Sequence, residues 1–133
     1  MTDARTTIQR QRNALKLFRR LTLFAALIGA VYLVRRFEMT SLSEDRCCPL
    51  TRFEPGDRLI IDRSPSEPMP GHAVLVKTQS GTRRLCLVER VQEGTGKIWC
   101  VTDNPDCAGF SSEDAGWIDP RAIAGRVLMS WDH

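Results

Sequence analysis

The least polar stretch of the chain runs from Leu21 to Val34, fourteen residues without a charge, bracketed by Arg19-Arg20 and Arg35-Arg36. As a helix it rises about 21 Å, short of a hydrocarbon core of roughly 30 Å. The four arginines can snorkel, and Leu15, Leu17, Phe18 and Phe37 lengthen the apolar run. A single-pass anchor is the reading that uses those doubled arginines. A cleaved signal peptide fits less well, because Arg35-Arg36 follows directly and no small-x-small site precedes it. A buried core helix has little use for paired arginines at both ends.

From residue 37 the period changes to short β-type runs: Phe37–Thr40, Arg58–Asp62, Ala73–Thr78, Leu85–Val91, Lys97–Thr102 and Ala122–Trp131. Turn signals separate them at Pro55-Gly56-Asp57, Pro68-Met69-Pro70-Gly71, Ser80-Gly81, Glu93-Gly94-Thr95-Gly96 and Asp103-Asn104-Pro105. Gly94-Thr95-Gly96, between two apolar runs, reads as a hairpin loop. No strong amphipathic helix and no internal repeat follows residue 37. The pattern predicts a mostly β fold, a small antiparallel domain on one N-terminal transmembrane helix. Its parts are a basic arm (1–20), an anchor (21–36) and the β domain (37–133).

With 133 residues, 42% hydrophobic and 26% charged, the chain holds one modest globular domain. The net charge of +3 divides unevenly. Residues 1–36 carry eight Lys/Arg against one acid, a net of +7, and the remainder carries eleven against fifteen, a net of −4. The positive charge thus lies where it can touch a membrane, not on the folded body, which argues against a nucleic-acid-binding domain. No Gly-rich phosphate loop is present, which argues against a nucleotide enzyme. Six Lys/Arg precede the apolar run, and Glu38, Glu44 and Asp45 follow soon after it. The positive-inside rule then keeps the N-terminus inside and the domain outside. The Arg-rich start also resembles mitochondrial targeting sequences, Asp3 counting against that. Both a bacterial cytoplasmic membrane and a mitochondrial inner membrane remain open.

The five cysteines, Cys47, Cys48, Cys86, Cys100 and Cys107, are odd in number and lack CxxC spacing, and the two histidines, His72 and His133, sit near no cysteine pair. No metal and no cofactor is expected. In an oxidising compartment one or two disulfides can form, with Cys47 and Cys48 reaching elsewhere or staying free.

Four segments then carry a resemblance. Glu54-Pro55-Gly56-Asp57-Arg58-Leu59-Ile60-Ile61 matches an "x-P-G-D-x-V-L-V" pattern, and Pro68-Met69-Pro70-Gly71-His72-Ala73-Val74-Leu75-Val76 a "P-x-x-G-D-I-V-V" pattern with His72 in place of Asp. Val88-Glu89-Arg90-Val91 is similar to "I-K-R-V". Thr102-Asp103-Asn104-Pro105, Gly116-Trp117-Ile118 and Ile123-Ala124-Gly125-Arg126-Val127 follow "G-D-N-P … G-x-V … I-x-G-R-V". In this order, behind an anchor, they resemble the signal peptidase I family of membrane-anchored serine endopeptidases, above all small members such as the maturation proteases of nickel-type superoxide dismutase.

The resemblance implies a Ser–Lys dyad, in which an apolar setting lowers the lysine pKa until it accepts the serine proton. It also implies an extended polypeptide substrate. At the position matching the lysine stands Glu89. The nucleophile position falls on Cys48 when counted back from Gly56 without gaps, or on Ser43 when an insertion is allowed. Ser111-Ser112-Glu113-Asp114 stands where the family has "S-x-D-S-R", without its arginine. A cysteine nucleophile wants a cationic neighbour, and Glu89 is the opposite.

Two functions follow from different classes. One is a catalytically degenerate homologue that binds or braces a membrane complex; the other is an active endopeptidase for an exported or inner-membrane protein. As plain structure, Asp57, Asp103 and Asn104 are turn-makers. Arg90 and Arg126 are ion-pair members, Glu89 is a solvated strand residue, and Ser43 sits in a surface loop. Trp99, Trp117 and Trp131 belong to the core or to the membrane interface.

Overall fold

The computed structural model describes residues 2–44, 47–65 and 67–132; Asp45 and His133 lie outside the described residues. It divides into two compact units, residues 1–35 and 36–133. The first unit is helical: α1 (Thr2–Arg36) runs without a break through both the basic arm and the apolar stretch. It is long and apolar enough to cross a membrane, and its side chains are exposed throughout the apolar stretch.

The second unit is a six-stranded sheet built from β1 (Phe37–Ser41), β2 (Arg58–Asp62), β3 (Ala73–Lys77), β4 (Arg83–Val91), β5 (Ile98–Val101) and β6 (Ile123–Trp131). The strand order is β1-β2-β6-β3-β4-β5, and every pairing is antiparallel. All six runs read from the sequence are strands, with ends shifted by up to two residues. Among the described residues, the helices beyond the sheet's first strand are one turn each: α2 (Ser112–Ala115) and a 3-10 turn, Pro120–Ala122, whose Arg121 N–H donates to the Asp119 side chain at 2.8 Å.

Alternation along the strands sorts side chains into two cores. Leu59, Ile61, Ala73, Leu75 and Leu85 meet Cys48, Leu50 and Phe53, which the loop after β1 folds over one face. Val74, Val76, Cys86, Val88, Ile98, Cys100 and Ile118 fill the other. β3 feeds both faces, so Ala73–Val76 is buried at every position, as its unbroken apolar run requires. Cys86 and Cys100 are free thiols of the second core, and contact with Cys100 together with burial pushes the Cys86 thiol far above its ordinary pKa.

Gly125 explains one element of the "G-R-V" segment. A Cβ there would run into Ile61 Cγ2 and come within 2.9 Å of the Asp62 carbonyl, so β6 can lie against β2 only with glycine at this point.

The sheet curls until β1 and β4 touch through charge. Both Glu38 carboxylate oxygens bond the Arg83 guanidinium, at 2.9 and 3.0 Å, and Oε2 also accepts from Arg63 at 3.0 Å. The bonds to Arg83, with Arg63 behind them, hold Glu38 below the usual carboxylate pKa. At the start of the unit, Arg36 clasps the buried Asp62 with two bonds of 3.2 Å, which lowers that carboxyl as well.

Candidate functional site

Where the end of β1 faces the start of β4 there is a groove of about 560 Å³. Ser41, Leu42 and Ser43 form one wall, and Arg83, Arg84 and Leu85 form the other. Both sequence candidates for a nucleophile lie on it: Ser43 is exposed, and Cys48 is 6% exposed.

The backbone around Cys48 is held from several directions. Asn104 Nδ2 donates to the Cys48 carbonyl at 2.8 Å, and the Asn104 N–H donates to the Pro49 carbonyl at 3.1 Å. Asp103 accepts from both the Thr51 N–H (2.8 Å) and its hydroxyl (3.1 Å). Cys47 and Cys107, 60 positions apart, form a disulfide beside the groove. Of the two neighbouring cysteines, one therefore reaches elsewhere and the other stays a free thiol. Asp57 works one layer further out, its carbonyl accepting the Leu42 N–H at 2.8 Å and so fixing the approach to Ser43.

The Cys48 thiol is not activated. Burial is the largest cause and raises its pKa; a backbone hydrogen bond at Leu50 lowers it, and the carboxylates of Asp57 and Asp103 raise it again, for a net rise. At neutral pH it is a thiol, not a thiolate.

Glu89 is absent from the walls of the groove. It lies at the other end of β4, exposed, at a bulge where Val88 pairs with Cys100 and Arg90 with Trp99. Its carboxylate is 3.8 Å from the Arg90 guanidinium. Arg90 in turn stands over the rings of Trp99 (5.2 Å) and Trp117 (5.6 Å), which meet edge to face at 5.2 Å. These two tryptophans are partners of an arginine on the sheet surface, Trp117 being 38% exposed.

Arg126 borders a separate cleft of about 260 Å³ beside Pro68 and Val74, and adds to the lowering of the Asp62 pKa. Ser111 precedes α2 without a capping bond from its side chain, and lines a second groove that shares Arg84 with the first. Its neighbour Ser112, which the sequence did not single out, is fully buried, and its Oγ accepts the Cys100 N–H at 2.8 Å.

The structure thus gathers Ser43 and Cys48 into one groove, with Asp57, Asp103 and Asn104 bracing its backbone. Glu89, Arg90 and Arg126 stand elsewhere. Arg83 and Arg84 were missed, although a strand phase running through Arg83, Leu85 and Leu87 places Arg83 on the face of the first core. No protein family, no curated protein and no solved structure matches the chain.

Proposed function

We propose that the chain is a membrane-tethered, signal-peptidase-like domain that holds an extended polypeptide segment without cutting it, as a binding or structural subunit of a membrane complex. One observation carries this reading: among the described residues, the groove with both candidate nucleophiles is lined by no base. The β4 wall offers Arg83, Arg84 and Leu85, none of which accepts a proton at neutral pH, while Glu89 lies outside. A hydroxyl or thiol with no proton acceptor is a poor nucleophile. The groove runs beside β1, an edge strand whose outer backbone groups are available for strand addition.

α1 is the anchor in this reading. The excess of Lys/Arg before its apolar run keeps the N-terminus inside and the domain outside, at a bacterial cytoplasmic or mitochondrial inner membrane. A disulfide between Cys47 and Cys107 suits an oxidising outer face. The alternative is an active endopeptidase, favoured by the presence of Ser43 and Cys48 on the same groove.

Labelling of the detergent-solubilised chain with a broad fluorophosphonate and a thiol-directed peptide warhead separates the two, with Ser43→Ala, Cys48→Ala and Glu89→Gln in parallel. Silence beside an active signal peptidase is the expected result. Labelling lost in one nucleophile variant and weakened in Glu89→Gln would establish the peptidase instead.

A further inference from the structure

The groove at Ser43 continues past Arg84, Ala108, Gly109 and Phe110, which line both it and a neighbouring groove of about 880 Å³. The second groove is polar: Lys77, Thr78, Ser80, Thr82 and Ser111 line it, with Asp114 as its carboxylate. Among the described residues, Lys77 and Arg84 make no ion pair, whereas Arg83 is neutralised by Glu38. This is unexpected on a body whose net charge beyond residue 36 is −4. Two cations with no ion-pair partner among the described residues stand along one channel, on a domain whose net charge is negative.

We infer that the joined grooves select an extended peptide carrying acidic side chains, with Arg84 and Lys77 as the residues that recognise its carboxylates. The inference rests on the reading that the groove holds an extended polypeptide, and it names the chemistry of that segment. The hydroxyls of Thr78, Ser80 and Thr82 bond one another at 2.8–3.2 Å beside Lys77, a polar cluster at that end of the second groove. Arginine favours a carboxylate through its paired N–H groups, and lysine through a point charge.

The test uses the full chain in nanodiscs of phosphatidylcholine and two fluorescent peptides with blocked ends, one alternating valine and glutamate, the other valine and glutamine. Anisotropy should report binding of the glutamate peptide about fivefold tighter, a size suited to two exposed charge contacts. K77Q/R84Q should remove that preference, and an unchanged melting temperature shows that the variant is folded. K97Q/R121Q, with the same loss of charge elsewhere, should keep the preference. Ser43→Trp should abolish binding of both peptides.

Equal binding of the two peptides to the parent chain would overturn the acidic selectivity and leave the groove reading standing. A preference that survives K77Q/R84Q would assign it to the basic arm and overturn the inference. Binding of neither peptide would overturn both readings. Displacement of the glutamate peptide by phosphatidylglycerol, lost in K77Q/R84Q, would reassign the cations to lipid headgroups.

Discussion

His72 closes its turn as Asp57 closes its own. In Glu54-Pro55-Gly56-Asp57, Asp57 Oδ2 accepts the Glu54 N–H at 2.9 Å; in Met69-Pro70-Gly71-His72, His72 Nδ1 accepts the Met69 N–H at 3.2 Å. Each fourth residue also returns its own N–H to the first carbonyl at 3.1 Å, and each glycine holds positive φ, +91° and +89°. His72 therefore closes its turn as an Asp at that position would, provided its Nδ1 is unprotonated. Burial, and then Arg126, lowers its pKa below the ordinary 6.5.

The sign follows from that lowering. A base kept neutral by folding contributes stability that is fully present above pH 6.5 and fades as the pH falls through the lowered value. The melting temperature should hold steady from pH 7.5 to 6.5 and decline below. His72→Asp should match the parent at pH 7.5 and outlast it between pH 6 and 5, because a carboxylate still accepts the Met69 N–H there. A pH series of thermal melts on both proteins checks this.

The strap around Cys48 should show its worth on reduction. Closing a loop between positions 60 apart stabilises by about 2–4 kcal/mol. Cys47→Ser/Cys107→Ser should lose that amount in denaturant titrations, Asn104→Ala alone about 1–2 kcal/mol from the lost bond to the Cys48 carbonyl, and the combined variant less than the sum. Near-additive losses would count against the two acting as one brace.

At Gly125 the expectation is steric. Alanine there must push β6 off Ile61 and the Asp62 backbone, for a cost of about 1–3 kcal/mol. Gly81, whose substituted Cβ would meet nothing within 4 Å, is the control for space, though its φ of +85° adds its own strain. Urea midpoints of the two alanine variants decide it.

Cys48 should alkylate slowly. With its pKa above the ordinary 9.0, iodoacetamide at pH 7.5 should modify it roughly tenfold or more slowly than glutathione, with a rate that climbs past pH 9. Cys86 and Cys100, with no exposed surface, should stay unmodified in the native protein, as peptide mapping by mass spectrometry can verify.

Most strands were legible because they are short apolar runs bounded by Gly, Pro or Asp, a signal carried in and beside the run itself; β1, Phe37–Ser41, lacks those flanks. The Asp57 turn was legible for the same local reason. What the sequence withheld is what depends on the curl of the sheet. Glu38 and Arg83 lie 45 positions apart, and nothing local joins them. The Cys47–Cys107 pairing is likewise set by how the loop after β1 drapes over the first core. Glu89 aligned with the family lysine by position along the strand, but its bulge and the depth of the groove along β4 are properties of pairing. Asp103 and Asn104 were read as turn-makers; Asn104 does take the Asp106 N–H at 3.1 Å, yet both also reach across to the Cys48 segment.

The strand that comes sixth in the chain lies between β2 and β3, so the first two strands and the next three have no direct pairing until it arrives. A chain emerging from a ribosome or a translocation pore can therefore form two hairpin-like fragments early, but not one sheet. The groove needs both, since Ser43 comes from the first fragment and Arg84 from the second. Any ligand of that groove meets a binding surface only after synthesis has passed Trp131, and a nascent chain halted before β6 is invisible to it.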